Sequence, residues 1–437
     1  MRMVLRCFSI LVLCQATTLW AGHWPQFRGP SGQGHAEATG LPAKLSETDN
    51  LVWKVEVPGR GWSSPVVWGD QVWMTTAIEE KPTPEEREKL LEGVDQAGQR
   101  EVVNKITLRA LAFNVKTGKS WHDIHLFDVI KPQPIHTLNS FSSPTPVIEK
   151  GRVYCHFGAF GTAAIDTQSG EILWRRELVI HHEVGPGSSP VIYKDMVVIV
   201  SDGYDKQFVT ALDKDTGDTR WTTDRPPIRQ ENGSLKKAFC TPLVVEVGGR
   251  DQMIIPGAQW FIAYDPVNGK ELWRVDHGDG FSNVPRPVVG HGLAYLMTGF
   301  TTPELWAVRL DGQGDLDESH VAWKVKKQMP KKSSPLLLGD ELYIISDIGI
   351  LSCLDAKTGE EIYRERMPGD YSASLLYADD KIYLFSHDGD ITAIAPGREF
   401  KQLAQTQIDG QIMATPAVAD NAIFLRSDTH LYRFEIK

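Results

Sequence analysis

Few residues in this sequence have types and spacing that could do chemistry, and the most compact group is His181, His182 and Glu183. Successive residues of an extended chain point to opposite sides, so these side chains do not converge on one metal ion. The motifs HExxH, CxxC, GxSxG, GxGxxG and the phosphate-binding glycine loop are all absent. We therefore predict no metal site and no catalytic residues, and we interpret these histidines as exposed loop residues.

A second acidic group lies in the run DGQGDLDES, which contains Asp311, Asp315 and Asp317. It has neither the spacing of an EF-hand nor the bidentate Glu that closes such a loop. Calcium binding is therefore not predicted there.

The composition excludes two broad functions. The 437 residues are 41% hydrophobic and 23% charged, and 46 basic against 56 acidic residues give a net charge of −10. No basic block stands out, which argues against nucleic-acid binding. The only sustained apolar run, residues 7–14, is too short to span a bilayer.

The position of that apolar run predicts export. Arg2 and Arg6 precede it, and small residues follow it, so residues 1–21 read as a signal peptide. Leu13 precedes Cys14, which disfavours lipidation at that cysteine. We expect a periplasmic or cell-envelope protein. The remaining cysteines are odd in number and we expect buried thiols: Cys155, Cys240 and Cys353.

Internal repetition indicates the fold. Small residues, Pro and an apolar strand open a unit at residues 63–67. With variation, this opening occurs eight times in the chain, counting the first. In five units Asp or Asn stands four residues before a turn glycine, and an aromatic follows that glycine. We predict that these aromatics dock on the neighbouring unit, with Trp53 added from a lone strand; the five are Trp121, Trp174, Trp221, Trp273 and Tyr363.

Units of about 40–50 residues with four strands each predict a propeller. The last unit lacks its fourth strand, and residues 51–55 form a fourth strand without a unit. Joining them closes an all-β, eight-bladed propeller with four-stranded antiparallel blades over residues 51–437, after an N-terminal extension at 22–50. Blade 1 carries a charged helical insertion at residues 79–104, which is either a solvated excursion or a docking element.

The run Ala-x-Asp-x-x-x-Gly-x-x-x-Trp resembles the tryptophan-docking repeat of the pyrroloquinoline-quinone (PQQ) propeller superfamily, and WPQFRGP at residues 24–30 is similar to the start of exported members. That superfamily includes quinoprotein alcohol dehydrogenases and an outer-membrane assembly lipoprotein. The resemblance implies either a non-catalytic envelope scaffold or a dehydrogenase that oxidises alcohols or sugars with PQQ and calcium.

The resemblance implies that a dehydrogenase needs a disulfide over the cofactor, a Trp floor beneath it and a catalytic base, and the chain has candidates for only some of these. The resemblance implies a vicinal disulfide, but no two cysteines are adjacent. Trp62 is a candidate cofactor floor, and Asp279, Asp370 and Asp409 are candidate bases, although none lies in a matching motif. We therefore expect no cofactor and a monomeric scaffold that binds envelope proteins.

Loops that lead into the innermost strands should meet at one mouth of the channel. Aromatic and cationic residues recur in them, which predicts either a hydrophobic plug or a site for a small ligand or glycan. The candidate residues are Arg60, Trp62, His136, Phe141, His182, Arg229, Phe239, Phe281, Arg286, Lys332 and Tyr371.

Overall fold

The computed structural model describes residues 22–436; the predicted signal peptide lies outside the described residues. Eight antiparallel blades surround a central channel, and the four strands of each blade run from the channel to the rim. The predicted all-β, eight-bladed propeller is therefore confirmed. Each inner strand begins at what we call the upper mouth of the channel and ends at the lower mouth.

The first four blades follow one another in the chain. Blade 1 contains Val66–Trp68, Gln71–Glu80, Lys105–Asn114 and Ser120–Ile130. Blade 2 contains Val147–Glu149, Arg152–His156, Thr162–Asp166 and Ile172–Arg176. Blade 3 contains Val191–Tyr193, Met196–Asp202, Gln207–Asp213 and Thr219–Asp224. Blade 4 contains Leu243–Val247, Arg250–Pro256, Trp260–Tyr264 and Glu271–Asp276.

The remaining blades complete the ring. Blade 5 contains Val288–Gly290, Leu293–Met297, Leu305–Arg309 and Val321–Val325. Blade 6 contains Leu336–Leu338, Glu341–Ile345, Ile350–Asp355 and Glu361–Arg366. Blade 7 contains Leu376–Ala378, Lys381–Phe385, Asp390–Ile394 and Gln402–Gln407. Blade 8 contains Ala417–Ala419, Ala422–Arg426, His430–Phe434 and, from the start of the chain, Leu51–Glu56.

The closing strand is held by both pairing and docking. Trp53 lies opposite Arg433 in the antiparallel ladder of blade 8. Its indole Nε1 donates to the Val115 carbonyl of blade 1 at 3.0 Å. A Cβ on Gly118, the turn glycine of blade 1, would come within 2.8 Å of that ring. The seam between the last and first blades is therefore closed by a strand from the start of the chain, which completes blade 8 and docks on blade 1.

The same contact recurs between other neighbouring blades, and in blade 1 a histidine makes it. Trp174 of blade 2 lies on Gly217 of blade 3 and donates to the Lys214 carbonyl at 3.0 Å. In blade 1 the predicted residue Trp121 does not dock: it is 39% exposed. His122 takes its place, because it stands four residues after the turn glycine Gly118 and pairs with Ala112, as Trp174 pairs with Ala164 in blade 2.

The insertion in blade 1 contains the predicted helix, α1, Pro84–Leu91, which starts with a capping box formed by Thr83 and Glu86. A 3-10 turn, Ala97–Gln99, and the short strand Arg100–Glu101 follow, and that strand pairs with Ile135–His136 near the upper mouth.

Further short elements lie in the loops between strands. Gly158–Phe160, Gly233–Leu235 and Glu318–His320 are further 3-10 turns. Strand Gly314–Leu316, in the turn that Asp311 opens, adds a fifth strand to blade 4. Among residues 22–436, no helix has the length and apolar character that a membrane crossing requires.

Candidate functional site: the two mouths of the channel

A belt of hydroxyl groups surrounds the channel where the inner strands begin. Two residues before seven of the eight inner strands stands Ser or Thr, and the backbone N–H of one blade donates to the hydroxyl of the next. Ser64 N–H donates to Thr145 Oγ1 at 3.0 Å, and Thr145 N–H donates to Ser189 Oγ at 2.9 Å. Four further bonds of this kind, donated by Ser189, Arg286, Ser334 and Ser374, continue the belt. They satisfy backbone donors beside the channel and tie adjacent blades together.

Arg286 occupies the one position of this belt that has no hydroxyl, in blade 5. Its guanidinium is 2% exposed and donates through Nε and Nη2 to the Pro242 carbonyl at 3.0 and 2.7 Å. Nη2 also donates to Gln26 Oε1 at 2.8 Å, and Nη1 donates to the Phe27 carbonyl. Arg286, predicted at the upper mouth, therefore holds the N-terminal extension inside the channel.

The part of the extension that we call the channel segment, residues 22–36, crosses the lower end of the channel. Strand His23–Trp24 pairs with the inner strand of blade 1, and the Pro25 carbonyl accepts from Ile148 N–H of blade 2 at 2.8 Å. Further along the segment, strand His35–Ala36 pairs in parallel with the inner strand of blade 7, which is two blades from blade 1 in the ring. The segment thereby joins the inner strands of blades 1, 2 and 7.

Arg28 lies at the centre of this segment and is fully buried. Its Nη2 donates to the Pro335 carbonyl of blade 6 at 2.6 Å, whereas Nε and Nη1 have no hydrogen-bond partner. Burial, and then the charge of Arg286, lower the pKa of Arg28 to about 9, and burial lowers the pKa of Arg286 to about 10. Both remain charged at neutral pH. Neither forms an ion pair with a carboxylate within residues 22–436.

The glycines of the channel segment make room for these guanidiniums. A Cβ on Gly32 would lie 2.5 Å from Arg286 Cζ, and one on Gly34 would lie 2.7 Å from Arg28 Nη2. Both glycines also have positive φ, at 71° and 84°. The run FRGPSGQG is therefore required by its packing in the channel.

The upper mouth gathers positive charge from several blades. Trp62, Phe239 and Lys332 each stand four residues before an inner strand, in blades 1, 4 and 6. Arg60 lies over the Trp62 ring at 5.4 Å and donates to the Asn139 carbonyl at 2.9 Å. Lys332 is 3.9 Å from its nearest carboxylate oxygen, on Asp347.

His136 lies among these cations. Burial, and then the charges of Arg100, Lys237 and Lys332, lower its pKa. Arg100 and Lys237 share Glu183 as a counter-ion, with Arg100 Nη2 at 3.1 Å from Glu183 Oε1. Glu183, which the sequence placed in a loop cluster with two histidines, is thus a structural carboxylate between three loops.

Several other predicted residues are buried away from the mouth. Phe141 is fully buried and packs on Phe160 with ring centroids 5.9 Å apart. His182 is 3% exposed, which corrects its interpretation as an exposed loop residue. Its Nε2 accepts from Ala159 N–H at 2.6 Å, and burial lowers its pKa to about 3. Tyr371 is 1% exposed, and its hydroxyl has no hydrogen-bond partner.

The last two predicted residues lie toward the rim of the upper face. Arg229 pairs with Asp276 and with Asp279, the latter at 3.4 Å. The Phe281 carbonyl accepts from Phe300 N–H at 2.7 Å, in a bridge between two loops of blade 5. The upper mouth itself is therefore formed by Arg60, Trp62, His136, Phe239 and Lys332.

A larger cavity, of about 920 Å³, lies at the lower mouth, where no site was predicted. The channel segment forms one wall, and the turns after the inner strands of blades 5, 6 and 8 form the rest. The cavities near Phe239 and Arg225 on the upper side measure only about 20 and 10 Å³. The glycine-rich run at residues 29–34 was the signal that could have indicated this placement.

A closed ring of eight four-stranded blades with these docking contacts defines a propeller of PQQ-like repeats. The family model described as outer membrane protein assembly factor BamB matches residues 30–185, 109–239 and 257–398, and the chain belongs to that family. The resemblance to PQQ-like repeat propellers is thus confirmed.

Individual relatives are more distant. The chain is 28% identical over 102 residues to outer membrane protein assembly factor BamB of Burkholderia pseudomallei (strain K96243), a match that spans 22% of this chain and 24% of that protein. The crystal structure of BamB from Moraxella catarrhalis is similar with a TM-score of 0.55 at 12% identity, covering 88% of this chain and 99% of that one. Quinohemoprotein alcohol dehydrogenase from Comamonas testosteroni gives 0.53 at 14% identity, covering 95% and 80%. At these identities the structural likeness establishes the fold alone.

Proposed function

We propose that this protein is an exported, non-catalytic scaffold of the cell envelope that binds a partner protein through its upper face. Family membership supports an envelope role, since the family is described as an outer membrane assembly factor. The observation that carries the proposal is the distribution of exposed apolar side chains. Four that are more than half exposed lie in loops or strand ends of the upper face: Ile130, Leu138, Val179 and Ile348.

One part of that face combines apolar and basic groups. Phe300 is 36% and Ile348 51% exposed, in the loops between the second and third strands of blades 5 and 6. Lys331 joins them: its Nζ lies 5.2 Å from the Phe300 ring centroid, and its N–H donates to Asp347 Oδ1 at 3.0 Å. Exposed apolar groups next to charged ones are typical of protein interaction sites.

Lysines extend this surface. Residues 324–332, KVKKQMPKK, contain five lysines in a protein whose net charge is −10. Lys326 and Lys327 are exposed, and we call Phe300, Lys326, Lys327, Lys331 and Ile348 the blade 5–6 patch. Its complement is a partner segment that carries apolar side chains flanked by Asp or Glu. The excess of acidic residues in the whole chain hides this local basic run, which was not predicted.

The residues at the upper mouth do not fit a PQQ–calcium site. The cysteines at 155, 240 and 353 are buried, unpaired and far apart, so no disulfide cap forms among the described residues. Asp279, a candidate base, accepts from Gln230 Nε2 at 3.1 Å and pairs with Arg229. The cavity beside Phe239, about 20 Å³, is on the scale of one water molecule. We therefore propose a function without this cofactor.

Co-purification with matched variants tests the scaffold function. The Lys326→Glu/Lys327→Glu double variant reverses the charge of the patch, and Phe300→Ala/Ile348→Ala removes its apolar groups. Val267→Ala is the control, because Val267 is 52% exposed in a lower-face turn of blade 4. We expect an envelope partner that wild type and the control retain and that both patch variants lose. Equal retention by all four proteins would contradict the proposal.

A further inference from the structure

The cavity at the lower mouth has the size of a small-molecule site. Its volume of about 920 Å³ lies within the range of about 300–1,000 Å³ that is usual for such sites. Apolar walls come from Ala36, Val289, Leu337 and Val418. The polar groups come from residues 23–37, from the turn after the inner strand of blade 8, and from His291 of blade 5, whose Nε2 lies 2.9 Å from the Gly339 carbonyl oxygen.

The two amides that line the cavity present donors. Gln33 Oε1 accepts from Val289 N–H at 2.8 Å, and Asn421 Oδ1 accepts from Thr39 N–H at 3.2 Å. These bonds fix each amide so that its NH₂ group is left over. Within residues 22–436, neither Gln33 Nε2 nor Asn421 Nδ2 has a hydrogen-bond partner.

A ring nitrogen adds a third donor. His23 Nδ1 accepts from Gly69 N–H at 3.2 Å, so the proton of the neutral ring is on Nε2. The ring is fixed by stacking on Trp68, with centroids 4.2 Å apart and planes 5° from parallel. His23 lines the same cavity as Gln33 and Asn421.

The buried guanidiniums of Arg28 and Arg286 lie on the other side of the chain segment that forms the cavity wall. Ser31, Gln33 and His35 line the cavity, while the intervening Gly32 and Gly34 pack on the guanidiniums of Arg286 and Arg28. Those two charges have no carboxylate partner among the described residues, and two donors of Arg28 are unpartnered. An anion in the cavity would offset their electrostatic cost.

We propose that the lower-mouth cavity binds a small molecule through an oxyanion, either a carboxylate or a phosphate, with Gln33, Asn421 and His23 as donors. Two carboxylates also line the cavity, those of Glu37 and Asp420, and both residues are exposed. Asp420 lies beside Gly22, where an added Cβ would be 2.8 Å from Asp420 Oδ1. Glu37 opposes the anion from the rim, and removing its charge strengthens binding.

Isothermal titration of the purified full chain with sodium phosphate, sodium citrate and glucose, at constant ionic strength, tests the site. Gln33→Glu and Asn421→Asp keep the acceptors that Val289 and Thr39 need but replace NH₂ donors with a charged acceptor. We expect each to weaken anion binding by about tenfold or more, the equivalent of one charge-assisted hydrogen bond. Glu37→Gln should tighten it.

Asn114→Asp is the matched control, because Asn114 Oδ1 also accepts backbone N–H groups but lies in the turn of blade 1. It should bind like wild type. Comparing the affinities for phosphate and for citrate, which carries carboxylates, shows which of the two oxyanions the cavity prefers. Binding of glucose alone, no saturable anion binding, or anion binding that neither Gln33→Glu nor Asn421→Asp weakens would overturn the proposal. These results do not depend on the upper face, so they leave the scaffold proposal untouched.

Discussion

Arg286 Nη2 donates to Gln26 Oε1 at 2.8 Å, although the two residues are 260 positions apart in the chain. The bond joins blade 5 to the channel segment at the one position of the belt that lacks a hydroxyl. The protein thus fills the lower end of its channel with its own chain, and the proposed partner surface lies on the opposite, upper face.

Replacing Arg286 should release the channel segment without breaking the blades. Arg286→Ser supplies the hydroxyl that the other seven positions have but removes the donors to Gln26 and Phe27. We expect faster hydrogen exchange in residues 24–34, with unchanged protection of the inner strands of blades 4 and 6. Arg250→Ser, at an exposed site, is the control. Unchanged exchange in the segment would mean that Arg286 does not anchor it.

Docking of Trp53 on blade 1 should stabilise the whole ring. Trp53→Ala removes the contact with Gly118 and the bond to Val115, and we expect a loss of about 2–4 kcal/mol in the free energy of unfolding. Trp121→Ala, at 39% exposure, should cost less than about 1 kcal/mol. Urea unfolding of both variants measures the difference. Equal losses would contradict the docking scheme.

Buried histidines should make stability fall in acid. The folded pKa of His182 is lowered to about 3, whereas the unfolded value is about 6.5. The stability contribution is therefore complete above pH 6.5 and is lost as the pH falls toward 3, because only the unfolded chain binds this proton in that window. The slope is about 1.4 kcal/mol per pH unit for one such group.

His182→Gln keeps an acceptor for Ala159 N–H and removes the titration. Unfolding measured from pH 7 to pH 4 should show a flatter curve for this variant. His125→Gln is the control, because the His125 side chain is 51% exposed. A wild-type slope in His182→Gln would show that His182 is not the residue responsible.

The chain should not form a specific complex with PQQ and calcium. Arg60 lies over Trp62, the candidate cofactor floor, and the cysteines at 155, 240 and 353 are unpaired, so no disulfide forms among the described residues. Titration with both, followed by tryptophan fluorescence and quinone absorbance, should give no saturable change. Tight one-to-one binding that Trp62→Ala abolishes would restore the dehydrogenase alternative.

The sequence predicted the fold because each unit carries its own local signals. Turn glycines such as Gly217 and docking aromatics such as Trp174 repeat at fixed spacing, and the incomplete first and last units predicted the closure. It did not predict that His122 docks in the place expected for Trp121. The docking side chain stands four residues after the turn glycine in blades 2 and 3, whereas Trp121 stands three residues after Gly118, so the position is marked by the spacing and not by the aromatic type.

The candidate site was harder to predict because it depends on contacts that are distant in sequence. Phe141 was predicted at the mouth because it lies just before a proline, Pro144, but the inner strand of blade 2 starts after Pro146, and Phe141 is buried. Arg286 donates to Gln26 of the channel segment, 260 residues earlier in the chain, and no local sequence pattern indicates that contact. The lower-mouth cavity exists only once the channel segment is in place.

Site-specific photo-crosslinking in intact cells tests the central claim, that the upper face binds a partner, most directly. A photoreactive residue at position 300 in the blade 5–6 patch is compared with one at position 267 on the lower face. We expect one discrete adduct with an envelope protein from position 300, none from position 267, and loss of the adduct in Lys326→Glu/Lys327→Glu. No adduct from position 300, or the same adduct from both positions, would contradict the scaffold function.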